Sequence, residues 1–213
     1  MDISVKNSQG ELLFVFPYKE DYTIDLPVDI PSDPAKIGIG IEYAITGSTS
    51  GGTKMEGSGI AGVVVFLGGK DAGYVYSYAG GEIGGGIEGS VGVGISVNKS
   101  IFVTYQSKGD KTDHNQFSGK YVSVGGSFKA IFGKSSLSVS KGLQEKGTDA
   151  VWTTVALSEG CEAFLGLKSP ISPSISICRG KTAFLPGQDV GKPKNFAQKT
   201  YSWGKLIQLC LRK

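Results

Sequence analysis

The sequence predicts an all-β fold, an antiparallel meander of about 10–12 strands closed as a barrel or folded as a sandwich, with little helix. Three observations carry that prediction. Apolar residues recur with a period of two along most of the chain, and no sustained period of 3.6 interrupts them. Glycine supplies 33 of 213 residues, about twice its usual share of roughly 7%. Residues 82–98 then divide cleanly by parity: odd positions hold Ile83, Gly85, Ile87, Gly89, Val91, Val93, Ile95 and Val97, and even positions hold only Glu, Gly, Ser and Asn. Every bulky apolar side chain of that run lies on one side of a strand.

The other elements follow in order. Residues 2–6 and 11–16 read as a hairpin about Asn7-Ser8-Gln9-Gly10. Residues 17–35 are rich in Pro and Asp and predict an irregular acidic segment, because Pro27, Pro31 and Pro34 cannot donate to a ladder. Alternation returns at 37–45, a polar loop is expected at 48–57, and 60–69 is apolar on both faces. After a turn at 70–73, Tyr74, Tyr76 and Tyr78 share one strand face ahead of the 82–98 run. Further strands are expected at 100–107, 120–132, 135–141, 149–157, 160–167 and 174–179, with irregular chain at 180–195 and a final strand or short helix at 201–213. A single β-domain over residues 1–213 accommodates all of this.

Charge is asymmetric. The formal net charge is +3, yet residues 1–34 carry seven acids against Lys6 and Lys19, while 179–213 carry eight bases against Asp189. In the basic segment Lys192, Lys194, Lys199 and Lys205 are candidates for an anionic partner, an anionic membrane before nucleic acid. Solvation of both charged ends is the plainer reading. Three cysteines (Cys161, Cys178, Cys210) are too few for a disulfide scaffold and suit free, buried thiols. No basic region and apolar run of a signal peptide stands at the start, and no stretch reaches the ~20 apolar residues of a membrane helix. The expectation is a chain cytoplasmic at synthesis, with any export left to a larger secretion system.

Chemical motifs fare poorly. Gly84–Gly89 matches GxGxxG but lies inside a period-two run with no helix behind it, so it is not a dinucleotide turn. Gly180-Lys181-Thr182 lacks the earlier glycine of a P-loop, since position 175 is Ile175. Asp110, Asp113 and the sole histidine, His114, share a loop and are the candidates for general acid–base or metal chemistry, against the plainer reading of a solvated loop. No metal site and no cofactor is expected. Asn98-Lys99-Ser100 matches a glycosylation triplet.

Three functional classes remain. The first is a membrane-directed, toxin-like β-domain acting through an amphipathic hairpin, since membrane strands need about 9–11 residues with alternating faces. Its contact candidates, for membrane or ligand, are Tyr74, Tyr76, Tyr78, Ile83, Ile87, Val91, Val93 and Ile95. The second is a soluble ligand- or partner-binding barrel. The third is an enzyme such as a nuclease, with the basic tail on phosphates; the balance is against an enzyme.

The texture of 58–98, GSGIAGVVVFLGGKDAGYVYSYAGGEIGGGIEGSVGVGISV, followed by KYVSVGGSFKAIFGKSSLSVSKG, resembles the glycine-rich C-terminal domains of bacterial Rhs-type polymorphic toxins. The resemblance covers about a third of the chain and carries no catalytic residue with it. It implies a delivered antibacterial or host-directed domain, with a cognate immunity protein as partner.

Overall fold

Alternating polar and apolar residues build strands almost throughout the computed structural model, which describes residues 2–6, 12–17, 22–25, 31, 33–130, 133–144, 149–167 and 172–185. The described residues form two units where one domain was expected. The first contains β1 (Asp2–Lys6), β2 (Leu12–Pro17) and β3 (Tyr22–Asp25). β1 and β2 make the expected antiparallel hairpin, and β3 adds to β1 in parallel. The segment 17–35 is therefore not irregular throughout: residues 22–25, between its prolines, form a strand.

The second unit starts at Asp33. Its strands are β4 (Ile37–Phe66), β5 (Val75–Lys108), β6 (Lys120–Ala130), β7 (Gly133–Gly142), β8 (Val151–Leu167) and β9 (Ser172–Phe184). They lie in the order β4-β5-β8-β7-β6-β9, and pairing of β9 back onto β5 closes a five-stranded antiparallel barrel with β4 as an extra strand. No α-helix occurs among the described residues, only short 3-10 turns at Pro34–Lys36, Gly69–Asp71 and His114–Phe117.

Among the described residues several expected strands merge into longer ones. The polar stretch 48–57 is not a loop; it is the middle of β4, paired with β5. Likewise 82–98 and 100–107 are one strand, and so are 149–157 and 160–167. The long strands bend rather than stop. Gly51 faces Val91 and Gly52 faces Glu88, so Gly89 and Ser90 bulge from β5 at that point. Gly52 holds φ 87° there, a left-handed value that glycine adopts without cost.

The bend lets one strand occupy two places in the wall. β5 pairs with β9 before the bulge (78–88) and with β8 after it (91–108). The two halves of β4 also meet: Leu67 N–H donates to Ile37 O at 2.9 Å, and the Thr46 and Ser58 hydroxyls lie 2.8 Å apart, with the same antiparallel offset. A Cβ on Gly40 would stand 2.2 Å from Val63 O and one on Gly62 would stand 2.6 Å from Ile41 O. Only glycine lets these halves approach so closely. Counting each half, eight strand segments surround the lumen. We call the bend, where β6 also turns into β7, the tip; the opposite end is the head.

The head has an ordinary core. Val64, Phe66, Tyr76, Tyr78, Phe102 and Trp152 are buried together, with Phe117 and Phe184 packed against them. Ring pairs tie it together: Phe66 lies 5.3 Å from Trp152 and Phe117 lies 5.4 Å from Tyr78, centroid to centroid. Toward the tip the polarity inverts.

Candidate functional site

Along the tip half, apolar side chains point outward and polar ones inward. The parity of 82–98 is observed as expected: Ile83, Ile87, Val91, Val93 and Ile95 are exposed, while Glu88, Ser90, Ser96 and Asn98 are buried. The neighbouring strands repeat the pattern. Leu165 and Leu167 of β8 are 82% and 80% exposed, Met55 of β4 is 72% exposed, and Phe128 of β6 with Ile175 and Ile177 of β9 are exposed on the same outer surface. Together they form an apolar belt around the tip.

The belt has a definite height. On β5 its unbroken run is Val91 to Val97; Lys99, whose registered neighbours are Tyr43 on β4 and Glu159 on β8, interrupts it before the less exposed pair Ile101 and Leu157. Six residue steps climb roughly 20 Å along a strand, or about 15 Å at a barrel tilt of 35–45°. On β9 the apolar positions end at Ile177, with Arg179 next on that face. One leaflet of a bilayer's ~30 Å hydrocarbon core has a similar depth.

Inside, the lumen is a cavity of about 170 Å³ lined by side chains of all six strands, hydroxyls predominating. Hydroxyls of adjacent strands pair along its wall: Ser100 with Ser158 at 2.8 Å and Ser127 with Ser174 at 2.7 Å. At the tip, Lys129 Nζ donates to Glu88 Oε1 at 2.6 Å and to Glu162 Oε1 at 2.8 Å, and Ser90 Oγ donates to Glu88 Oε1 at 2.5 Å. Lys129 is 1% exposed. This network joins β5, β6 and β8 across the inside of the tip. Lys54 and Glu56 form a second interior ion pair.

Nearer the head, Tyr78 OH donates to Glu42 Oε2 at 2.9 Å and Tyr121 OH to Glu82 Oε2 at 3.1 Å. Burial pushes the Glu42 carboxyl up to about 7; the Tyr78 bond opposes the shift and the nearby Glu82 charge adds to it. Burial raises Glu82 as well. At Glu56 burial pulls upward, but the bond and charge of Lys54 hold the carboxyl below its ordinary value. Burial pushes the Cys178 thiol up to about 12, so it is an unreactive thiol beside Glu56.

Glu42 makes the barrel's stability pH-dependent. A carboxyl whose folded pKa is raised contributes stability that is complete below about 4.5 and is lost as pH rises through about 7. Urea midpoints are expected to be higher at pH 5 than at pH 8, and Glu42→Gln should flatten that difference by up to about 3 kcal/mol. A slope unchanged by the substitution would assign the dependence to other groups.

The remaining sequence candidates are placed as follows. Tyr76 and Tyr78 are buried in the head core, because β5 runs unbroken from 75 to 108 and gives them the inward parity of Glu82; they do not belong to the outer contact surface. Tyr76 OH donates to Asp71 at 3.1 Å, and Tyr74 packs against the same core half-buried. His114 is not in a solvated loop. Its Nδ1 lies 2.5 Å from Asp71 Oδ2, its Nε2 donates to Ala35 O at 2.7 Å, and its ring stacks on Phe66 at 3.9 Å. With both nitrogens occupied and the ring buried, it locks head loops together and is closed to general-base work. Asp113 caps the following 3-10 turn through Asn115 N–H at 3.1 Å, and Asp110 is exposed, so the three candidates do not converge on one site.

Asn98 faces the lumen, out of reach of glycosylation. Cys161 and Cys178 are free, the first exposed where a buried thiol was expected. No group of three or more His, Cys, Asp or Glu suited to a metal occurs among the described residues. Lys192, Lys194, Lys199, Lys205 and Cys210 lie outside the described residues. Sequence reasoning missed the Lys129–Glu88–Glu162 network, although Glu88 on the polar parity of β5 was its visible sign. No protein-family model, curated protein or solved structure matches the chain.

Proposed function

We propose that the second unit is a membrane-directed, toxin-like β-barrel that sinks its tip about one leaflet deep into a bilayer and perturbs the lipid there. The observation that supports this reading is the inverted polarity of the tip half, with an exposed apolar belt outside a buried polar interior that holds the Lys129–Glu88–Glu162 ion pairs. A water-soluble barrel gains nothing by exposing Ile83, Ile87, Leu165, Leu167 and Ile175 together, and a continuous patch of this kind marks a surface that is covered in use. Burying each such side chain in hydrocarbon is worth about 1.5–3 kcal/mol. Backbone groups on the belt are already satisfied within a closed wall, which is the condition for strand structure to enter lipid.

The barrel, rather than the β4–β5 hairpin alone, is the inserting unit in this reading, because β6, β8 and β9 contribute to the belt as well. The expected result is that the full chain floats with phospholipid vesicles in a density gradient and releases an entrapped dye from them. Failure to float across lipid compositions would overturn the membrane reading, and flotation without leakage would overturn its toxin-like part.

The lumen supports a weaker second reading, capture of a small polar guest. Asn98 Oδ1 has no partner among the described residues and lines the cavity. At about 170 Å³ the space suits a few waters, and it is small beside usual ligand pockets of roughly 300–1,000 Å³.

A further inference from the structure

The border of the belt is not uniform around the barrel. On the β5–β8 side, Lys99 and Glu159 face each other in register, so opposite charges sit together at the belt's edge. On the β7–β6–β9 side the edge is basic alone. Lys141 and Arg179 flank Val122 in one registered row, and Lys181 follows Arg179 on the same exposed face of β9. Lys120, paired with Lys181, stands at the rim of the lumen.

Among the described residues no carboxylate is registered opposite these groups. The registered neighbours of Arg179 are Val122 and Ile83, those of Lys181 are Lys120 and Gly81, and those of Lys141 are Val122 and Thr153. The acids nearest in sequence on β5, Glu82 and Glu88, point into the lumen. Among the described residues Lys141, Arg179 and Lys181 have no ion-pair partner and are exposed.

We propose that this one-sided basic collar is a binding surface for anionic phospholipid headgroups. The inference rests on the membrane reading above and adds to it a lipid class and an orientation. When the belt is immersed, Arg179 stands at the edge of the hydrocarbon. On the outer face Lys141 lies one residue pair beyond Val139, and Lys181 lies one pair beyond Arg179 and two beyond Ile177. Headgroups occupy the next ~5–7 Å of a bilayer. Each long basic side chain there keeps its stem against apolar surface and its charge among phosphates. Basic groups near an anionic surface attract it in proportion to their number, and arginine adds bidentate contact to phosphate. Because the opposite side sets a lysine in register with a glutamate, attraction acts on one flank and presses the β6–β9 face toward the lipid surface.

The test is flotation of the full chain at fixed salt on vesicles of phosphatidylcholine alone and of phosphatidylcholine with 30% phosphatidylglycerol. Partitioning is expected to rise at least tenfold with the anionic lipid. The variant Lys141→Glu/Arg179→Glu/Lys181→Glu should lose that preference while still partitioning into neutral vesicles. Its altered side chains are exposed, and unchanged urea unfolding confirms the fold; Lys141→Gln/Arg179→Gln/Lys181→Gln should show an intermediate loss. Equal partitioning of the parent chain into both vesicles overturns the collar and leaves the membrane reading standing. Anionic preference undiminished in the triple Glu variant also overturns it, assigning the preference to another basic segment. Absence of binding to either vesicle overturns both.

Discussion

Replacing Lys129 with methionine is expected to cost the barrel about 3–5 kcal/mol, read as a fall in the urea midpoint at neutral pH. Lys129 bonds to both Glu88 and Glu162, and all three groups are shielded from water inside the tip. Removing it takes from the two carboxylates the ammonium that hydrogen-bonds to them both. The Glu88 Oε2 oxygen has no hydrogen-bond partner among the described residues, so the network has no spare donor to take over. The pair itself is not worth that much, because burying its charges already consumed most of their attraction. A triple replacement, Lys129→Met with Glu88→Gln and Glu162→Gln, should therefore recover a large part of the loss. If Lys129→Met alone left the midpoint within 1 kcal/mol of the parent on the scale of surface substitutions, the network would not be holding the tip.

The largest effect on membrane association is expected from the belt. Ile87→Asp combined with Leu165→Asp places two carboxylates on apolar belt positions of β5 and β8 that are 71% and 82% exposed. Insertion scales assign about 2.5–3.5 kcal/mol to an aspartate at the centre of the hydrocarbon. Two of them at one-leaflet depth should lower vesicle partitioning by at least 100-fold, with urea stability within about 1 kcal/mol because neither side chain supports the interior. Comparable partitioning of parent and variant would remove the belt from the membrane contact. The stability measurement separates that outcome from simple unfolding.

How much of this was legible in the sequence depended on whether polarity or continuity carried the signal. Parity alone predicted which side chains of 82–98 turn outward, because Ile and Val on one side and Glu, Ser and Asn on the other leave one arrangement for a strand. The stretch STSGGTKMEG was misleading for a physical reason. In a barrel with a polar lumen the inward residues are hydroxyls and charges, and where outward positions are glycine no apolar residue remains to mark the strand. Gly47, Gly51 and Gly57 occupy such positions. The inward orientation of Tyr76 and Tyr78 follows from carrying the parity of Glu82 back through Gly80, because β5 is continuous there. His114 lacked any local sign, since its partners Asp71, Ala35 and Phe66 come from distant parts of the chain.

The bend in β5 also governs the order in which the barrel forms. Its pairing with β4 joins segments that adjoin through the short turn at 67–74, so that hairpin closes early from local contacts. Its opposite edge must wait for β8 and β9, whose partners lie up to about a hundred residues away, as Tyr78 and Phe184 do. Assembly of such non-local pairings runs on the millisecond-to-second scale. In that interval the nascent hairpin presents an open edge beside its apolar face. A bilayer met during that interval receives a chain whose wall is still unfinished, and the completed barrel would then close with its belt already in lipid.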